Sequence, residues 1–204
     1  MSETLPQEQV SVRTIRGRNS EPGRNEWIGV SPAERIEAVW TLTKLCLAWN
    51  DKFEDEPRFS ELLLAFNANG VEYLVVGAHA LAAYGHVRAT KDLDVWIRAN
   101  EKNARKVLQA ISEFGAPSGD LTADDLSNPG TVFQIGIPPL RIDIITEIDG
   151  VEFAVAWPDR FRTKFGGVPA FVISRQHLID NKKAAARLQD LADVEQLEAT
   201  LDQT

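Results

Sequence analysis

Apolar positions change their spacing along the chain, and these changes separate segments of different predicted structure. An apolar stripe at helical spacing follows Ser31 and Glu34, which are placed as in a helix capping box. A second helix is predicted from about Arg58 to Asn69, just before a glycine that suits a helix end. Residues 31–57 are therefore expected to be a helical extension in front of a core domain.

After the second helix, runs rich in Val, Ile, Leu and Tyr alternate with amphipathic segments, a pattern typical of α/β domains. The predicted strands are residues 71–76, 92–98, 131–137, 140–146 and 168–173. The predicted helices are residues 78–84, 101–114, 174–188 and 190–201, and residues 115–130 are predicted to form a loop. The expected fold class is α/β, or α+β, with a small mixed sheet flanked by helices.

The expected organisation is one domain with an extended N-terminal side. Residues 1–30 are polar and broken by proline and glycine, which predicts a flexible polar tail. The core is expected to span residues 58–173, and helices over residues 174–204 to complete the same domain. A chain of 204 residues that is 44% hydrophobic is long enough for one such core.

Charge and composition exclude several classes of partner. The formal net charge is -8, which argues against a broad basic surface, so no duplex DNA partner is expected. No apolar run reaches the length of a membrane span and the N-terminus does not resemble a signal peptide, so we expect a cytoplasmic protein without a membrane partner. The single cysteine, Cys46, excludes an intramolecular disulfide and a thiolate metal site.

Three aspartates carry the candidate chemistry. Asp92 and Asp94 lie two positions apart in a predicted strand, so both side chains point to one face of the sheet. Asp143 interrupts an otherwise apolar predicted strand further along the chain. An Asp-x-Asp pair alone is also common in surface turns. Because convergent acids repel each other and hard divalent cations prefer oxygen ligands, the three together predict a two-Mg²⁺ site for phosphoryl transfer.

Gly77 separates a predicted strand from the short helix that begins near Ala78. Without a Cβ, the backbone at Gly77 can approach a phosphate closely, and the start of the helix would direct N–H groups toward it. Gly77 and Ala78 are therefore candidate nucleotide-binding residues.

These residues together resemble the pattern of the nucleotidyltransferase superfamily, which includes DNA polymerase beta. That pattern is an apolar residue, Gly and a small residue, then a spacer, Asp-x-Asp, and a third acid on a later strand. Tyr73–Ala78 and Arg88–Asp94 more closely resemble a small bacterial group related to abortive-infection toxins of the AbiEii type. Leu178–Lys182 and Ala185–Asp193 are similar to a part of that group that bears a Lys and an Arg, so the resemblance covers residues 58–200.

The resemblance implies a nucleotidyltransferase fold and an enzyme that moves a nucleotide from a nucleoside triphosphate, such as ATP, to a hydroxyl group, releasing pyrophosphate. It implies that Asp92 and Asp94 bind both of two Mg²⁺ ions, for which Mn²⁺ can substitute. It also implies that Asp143 binds the catalytic ion and orients the acceptor hydroxyl. Ala78 stands where Ser or Gly is usual, which is expected to weaken nucleotide binding at most, and Ala186 stands where Gly is usual.

Further candidate nucleotide-binding residues are Arg88, Thr90, Lys182 and Arg187. Arg88 is placed to neutralise phosphate or to bind Asp92, and Thr90 to position the same loop. Lys182 lies on the apolar stripe of its predicted helix, from which it either extends to solvent or reaches the triphosphate. Arg187 either contacts the nucleotide or acceptor, or forms a surface ion pair of little energetic weight.

Three functions are compatible with the sequence. The first is transfer to RNA, such as a tRNA 3′ end, or to a protein hydroxyl, by a toxin with a cognate antitoxin. It predicts a basic rim near the acids, drawn from Arg88, Lys91, Arg141, Lys182, Lys183 and Arg187. The second is transfer to a small molecule such as an aminoglycoside, which the acidic composition fits. The third is a catalytically idle binding partner or antitoxin, against which the presence of all three acids argues.

Overall fold

The computed structural model describes residues 27, 29–47, 59–136 and 141–199. The predicted tail over residues 1–30 lies almost entirely outside the described residues, as does the part of the predicted helical extension after residue 47. Within the described ranges, no helix is both long enough and apolar enough to cross a membrane.

Eight helices and six strands follow one another in the described ranges. The helices are α1 (Pro32–Leu47), α2 (Phe59–Ala68), α3 (Gly77–Ala83), α4 (Glu101–Phe114), α5 (Ala123–Ser127), α6 (Phe153–Ala156), α7 (Arg175–Ala185) and α8 (Leu188–Ala199). The strands are β1 (Tyr73–Val75), β2 (Asp92–Ile97), β3 (Val132–Ile135), β4 (Arg141–Ile145), β5 (Phe161–Phe165) and β6 (Val168–Val172). The five predicted strands and the long predicted helices are all present, and apart from α4 their ends are shifted.

The strands form one mixed sheet in the order β3-β4-β2-β1-β6-β5. β1 pairs antiparallel with β2 and parallel with β6, and β2 pairs parallel with β4. β3 and β5 are the edge strands, antiparallel to β4 and β6 respectively. Helix α2 contacts α4 and β6, while α1 contacts α3 and β5. The predicted mixed sheet flanked by helices is therefore confirmed.

The apolar core fixes which face of β2 carries the acids. Tyr73, Leu74 and Val75 of β1 are fully buried, as expected for a central strand covered on both faces. In β2, Leu93 and Val95 are fully buried and alternate with the acidic positions. Because burying one such side chain contributes about 1.5 to 3 kcal/mol, the core holds the register of β2 and directs its acids to the other face.

The predicted α4 boundaries agree with the structure because both ends carry strong local signals. The Asn100 side chain accepts a hydrogen bond from the Asn103 N–H and so caps the first turn. Gly115 ends the helix in the left-handed conformation, with φ of 82°.

Three elements were absent from the sequence prediction. β5 is a short edge strand whose charged residues Arg162 and Lys164 are exposed, so its apolar signal is weak. Helix α5 lies in the stretch predicted as a loop and begins with a capping box between Thr122 and Asp125. That box is visible in the sequence, but the helix it starts has only five residues. Helix α6 has only four residues, which is too short for a helical period to show in the sequence.

Replacing Ala186 with glycine is expected to stabilise the fold. Ala186 ends α7 with φ of 50°, and it is the one non-glycine residue with positive φ in the described ranges. A side chain in this region costs about 1 kcal/mol, partly offset by the greater freedom of glycine in the unfolded chain. Ala186→Gly should therefore raise the free energy of unfolding in urea by about 0.5 kcal/mol. The neighbouring Ala185→Gly, inside the last helical turn, should lower it by about 1 kcal/mol, and equal effects of the two variants would contradict this explanation.

Candidate active site

The three aspartates singled out in the sequence lie on two adjacent parallel strands. In the register of β2 and β4, Asp94 is directly beside Asp143, and Asp92 is beside Arg141. Residues two apart in a strand share a face, and so do residues directly beside each other on neighbouring strands. Asp92, Asp94 and Asp143 therefore all point to the same side of the sheet. The Asp143 residue is 8% exposed, which makes it the most buried acid of the three. The three acids therefore lie on one face of two neighbouring strands.

Arg141 holds two of these acids. Its Nε donates a hydrogen bond to Asp143 Oδ1 at 2.7 Å, and its Nη2 donates to Asp92 Oδ2 at 3.3 Å. Gln134 of β3 adds a longer contact, from Nε2 to Asp143 Oδ2 at 3.4 Å. From the sequence, Arg141 is predicted only as part of a basic rim. Its place beside Asp92 depends on the register between β2 and β4, which the sequence does not give. Arg141 supplies positive charge inside the acidic cluster.

Burial and mutual repulsion disfavour the charged form of the acids on β2. Burial raises the pKa of Asp94 to about 6, and the charges of Asp143 and Asp92 add to this effect. Burial also raises the pKa of Asp92, while the Arg141 guanidinium acts in the opposite direction. Carboxyl groups whose pKa is raised by burial and by neighbouring acids are common in catalytic and metal-binding sites.

Gly77 is packed against the Asp94 carboxylate. The chain runs from β1 through Val76, whose N–H donates to the Asp94 carbonyl oxygen at 3.0 Å, into α3. Gly77 has φ of 63°, and a Cβ placed on it would lie 2.0 Å from Asp94 Oδ2. Ala78, the next candidate, is buried at 6% exposure. From the sequence, a glycine is expected at position 77 because the backbone there approaches a phosphate closely. The structure adds a second reason, since a side chain here would collide with the Asp94 carboxylate.

Gly77→Ala should therefore damage both the fold and the site. The left-handed backbone and the displaced Asp94 carboxylate together are expected to lower the free energy of unfolding by about 2 kcal/mol. Gly119→Ala is a matched control, because Gly119 also has positive φ but a Cβ there would meet nothing within 4 Å. It should cost about 1 kcal/mol and leave activity unchanged. Chemical unfolding of the two variants measures the difference, and equal losses would remove the collision with Asp94 from the explanation.

Lys182 lies in a buried ion cluster between α7 and α8. The Lys182 residue is 4% exposed, and its Nζ donates to Asp193 Oδ2 at 2.7 Å and to Asp190 Oδ1 at 3.0 Å. Arg88 Nη2 donates to the same Asp193 oxygen at 3.3 Å. The rise in the pKa of Asp94 that burial and the neighbouring acids cause is partly offset by the charges of Arg141 and Lys182. Asp193, which joins two candidate nucleotide-binding residues, was not singled out in the sequence.

Thr90 and Arg187 occupy different positions. Thr90 Oγ1 accepts a hydrogen bond from the Asp92 N–H at 3.4 Å, and the Thr90 carbonyl oxygen accepts one from Thr43 of α1 at 2.9 Å. Thr90 thus attaches the segment before β2 to α1, which is the positioning role expected for it.

Arg187 is exposed between α7 and α8, and its side chain makes no hydrogen bond or ion pair within the described ranges. The structure does not bring Arg187 to the acids.

The donor set suits a hard divalent cation by its chemistry, since it consists of carboxylate oxygens. As the side chains stand, however, no group of three or more His, Cys, Asp or Glu side chains in the described part of the chain is placed to hold a metal ion. Arg141 instead pairs with both Asp92 and Asp143. Its guanidinium occupies one oxygen of each of these carboxylates.

Comparison with known proteins identifies no family model and no curated protein that matches the chain. Several solved structures are similar to it. A candidate nucleotidyltransferase from Thermotoga maritima is 16% identical, with a TM-score of 0.44 over 71% of this chain and 90% of that one. An antigenic nucleotidyltransferase-like protein from Paracoccidioides brasiliensis is 14% identical, with a TM-score of 0.42 over 68% of this chain and 72% of that one. The lincomycin-bound lincosamide antibiotic adenylyltransferase LnuA is 15% identical, with a TM-score of 0.46 over 71% of this chain and 98% of that one.

Proposed function

We propose that this protein is a metal-dependent nucleotidyltransferase that moves a nucleoside monophosphate from a nucleoside triphosphate to a hydroxyl acceptor. The observation that supports this proposal most directly is the alignment of Asp94 with Asp143 across β2 and β4, with Asp92 on the same face. Such a cluster is costly unless cations compensate it, and phosphoryl transfer is the chemistry that uses compensating cations.

Each residue then has a defined task. Asp92, Asp94 and Asp143 would hold Mg²⁺, which offsets charge on the phosphates and lowers the pKa of an attacking hydroxyl. Gly77 leaves room beside Asp94 that no other residue would leave. Arg141 would offset part of the charge of Asp92 and Asp143 until substrate arrives, and its guanidinium would then be available to a phosphate.

For the acceptor we propose RNA, such as a tRNA 3′ end, or a protein hydroxyl, with the chain acting as a toxin controlled by a cognate antitoxin. The test is incubation of the protein with each α-³²P-labelled nucleoside triphosphate, Mg²⁺ or Mn²⁺, and total RNA or cell lysate. Label should enter an RNA or protein band with the native chain and disappear with Asp143→Asn. Absence of labelling with every triphosphate and both metals would contradict the proposal.

A second candidate is a nucleotidyltransferase fold that acts as a binding partner without catalysis. The ion pairs of Arg141 with Asp92 and Asp143 favour it, because they offset part of the negative charge of the acids without any metal. Calorimetric titration with Mg²⁺ in the presence of a nonhydrolysable triphosphate distinguishes the two candidates. Heats that are equal for the native chain and Asp92→Ala would favour the binding partner, and a loss of heat in the variant would favour the enzyme.

A further inference from the structure

A second concave site lies between α1, α2, α3 and the turn that joins β5 to β6. It is a cavity of about 430 Å³. This volume lies within the range of about 300 to 1,000 Å³ that is usual for small-molecule sites. The residues that bear on its chemistry are Glu37, Trp40, Phe59, Ser60, His79 and Phe165. None of the three aspartates of the candidate active site lines this cavity.

His79 is the unusual member of the lining. The residue is 2% exposed, yet neither its Nδ1 nor its Nε2 has a hydrogen-bond partner among the described residues. Its ring packs against Phe59 and Phe165, with centroid distances of 5.9 Å and 5.0 Å. An unsatisfied buried polar group is costly, and most buried polar groups in proteins are paired. A polar side chain that is left unpaired beside a cavity is one that a ligand can satisfy.

The lining limits the chemistry of the ligand. Burial lowers the pKa of His79 to about 3, so its imidazole is neutral at physiological pH and offers one N–H donor and one acceptor. Among the described residues that line the cavity, Glu37 is the one charged side chain, and none is Lys or Arg. An anionic ligand would therefore meet repulsion without compensation. The aromatic rings of Trp40, Phe59 and Phe165 favour a flat apolar body.

We propose that this cavity binds a small neutral or cationic heteroaromatic molecule, whose ring hydrogen-bonds to His79 and whose positive or hydroxyl end lies toward Glu37. The proposal is independent of nucleotide transfer, since it uses none of the residues of that site. It assigns His79 a binding role that the sequence pattern did not reveal.

Two indole probes of opposite charge test the proposal on the full chain without nucleotide or metal. Tryptamine carries an indole N–H donor and an ammonium group, and indole-3-acetate carries the same ring with a carboxylate. The chain has three histidines, so their ring signals are separable by ¹H–¹³C NMR once His86→Asn and His177→Asn have been used for assignment. Tryptamine should shift the His79 signal, with Kd on the order of 1 mM or tighter for a probe of this size. Indole-3-acetate should bind about tenfold more weakly, since Glu37 repels its carboxylate and attracts the ammonium group of tryptamine.

Two variants make the result specific. His79→Leu should abolish tryptamine binding, observed through the ring signals of Trp40 if the variant folds. Glu37→Gln changes an exposed side chain on α1, and should retain the fold while weakening tryptamine about 2- to 5-fold. An unchanged His79 signal at millimolar tryptamine would overturn the proposal. Equal affinity for the two probes, or unchanged tryptamine affinity in Glu37→Gln, would overturn the assigned ligand class.

Discussion

Asp94→Asn should lower the rate of nucleotide transfer by about 10³-fold or more while leaving the fold intact. Asp94 is two residues from Asp92 on its own strand and directly beside Asp143 on the next strand. It is therefore the one acid that neighbours both of the others. An amide of the same shape keeps the packing but supplies neither the charge nor the second anionic oxygen that a cation needs. The measurement is kcat in the labelled-triphosphate assay.

The same variant should be more stable than the native chain at neutral pH. The folded-state pKa of Asp94 is raised to about 6 from an ordinary value of 3.8, so the fold disfavours the charged form. Above pH 6 this destabilises the native chain, and the cost fades as pH falls from about 6 toward 3.8, below which Asp94 is mainly protonated in both states. Asp94→Asn should therefore be about 1 to 2 kcal/mol more stable at pH 7.5, with the difference shrinking toward pH 4.

Asp120→Asn is the matched control for both properties. Asp120 is an exposed residue in the turn before α5, so the substitution should leave kcat unchanged and change the free energy of unfolding at pH 7.5 by no more than about 0.5 kcal/mol. Urea unfolding at pH 4, 5.5 and 7.5 gives the stability profile. If Asp94→Asn were destabilising at pH 7.5, or if it retained transfer, the electrostatic account of the cluster would fail.

Lys182→Met is expected to cost about 3 kcal/mol or more of unfolding free energy, because it leaves buried carboxylates without their main cation. The side chains of Lys182 and Asp193 are 6% and 1% exposed, so solvent cannot replace the lost partner. Arg88 is left as the ion-pair partner of Asp193, and its side chain is 42% exposed. Methionine keeps the length and apolar stem of the lysine, which isolates the effect of the charge. Urea unfolding at pH 7.5 measures the loss.

Lys183→Met provides the comparison for this result. Lys183 is the next residue and pairs with Glu198 at 2.7 Å, but both side chains are about half exposed. Its removal should cost less than about 0.5 kcal/mol. Adding Asp193→Asn to Lys182→Met should recover part of the lost stability, because the second change removes the unpaired charge. A free, solvated Lys182 would instead give small and equal effects for the two lysines.

The position of the three aspartates on one face of the sheet can be predicted from the sequence, because each part of it follows from a local rule. The alternation of β2 places Asp92 and Asp94 on one face, and an acid in an apolar strand identifies Asp143. The strand–glycine–helix order identifies Gly77. What local rules cannot give is register across the sheet, which decides that Arg141 stands beside Asp92. The role of Arg141 inside the cluster therefore becomes visible only in the fold.

The remaining differences have the same physical origin. Lys182 lies on an apolar helix face, and the sequence leaves open whether its charge reaches solvent, substrate or an acid. The answer depends on how α8 packs on α7, which places Asp190 and Asp193 beside it. β5 is likewise recognised through its pairing with β6, because an edge strand has too few buried residues to show a strong pattern.

Binding of Mn²⁺ tests the central claim most directly, because it asks whether the acids of β2 and β4 act as one ligand set. The chain is titrated with Mn²⁺ in the presence of a nonhydrolysable ATP analogue, and free Mn²⁺ is followed by electron paramagnetic resonance against the analogue alone. The native chain should take up about two ions, and Asp143→Asn should lose at least one of them. Uptake by Asp143→Asn equal to that of the native chain would contradict a shared metal site.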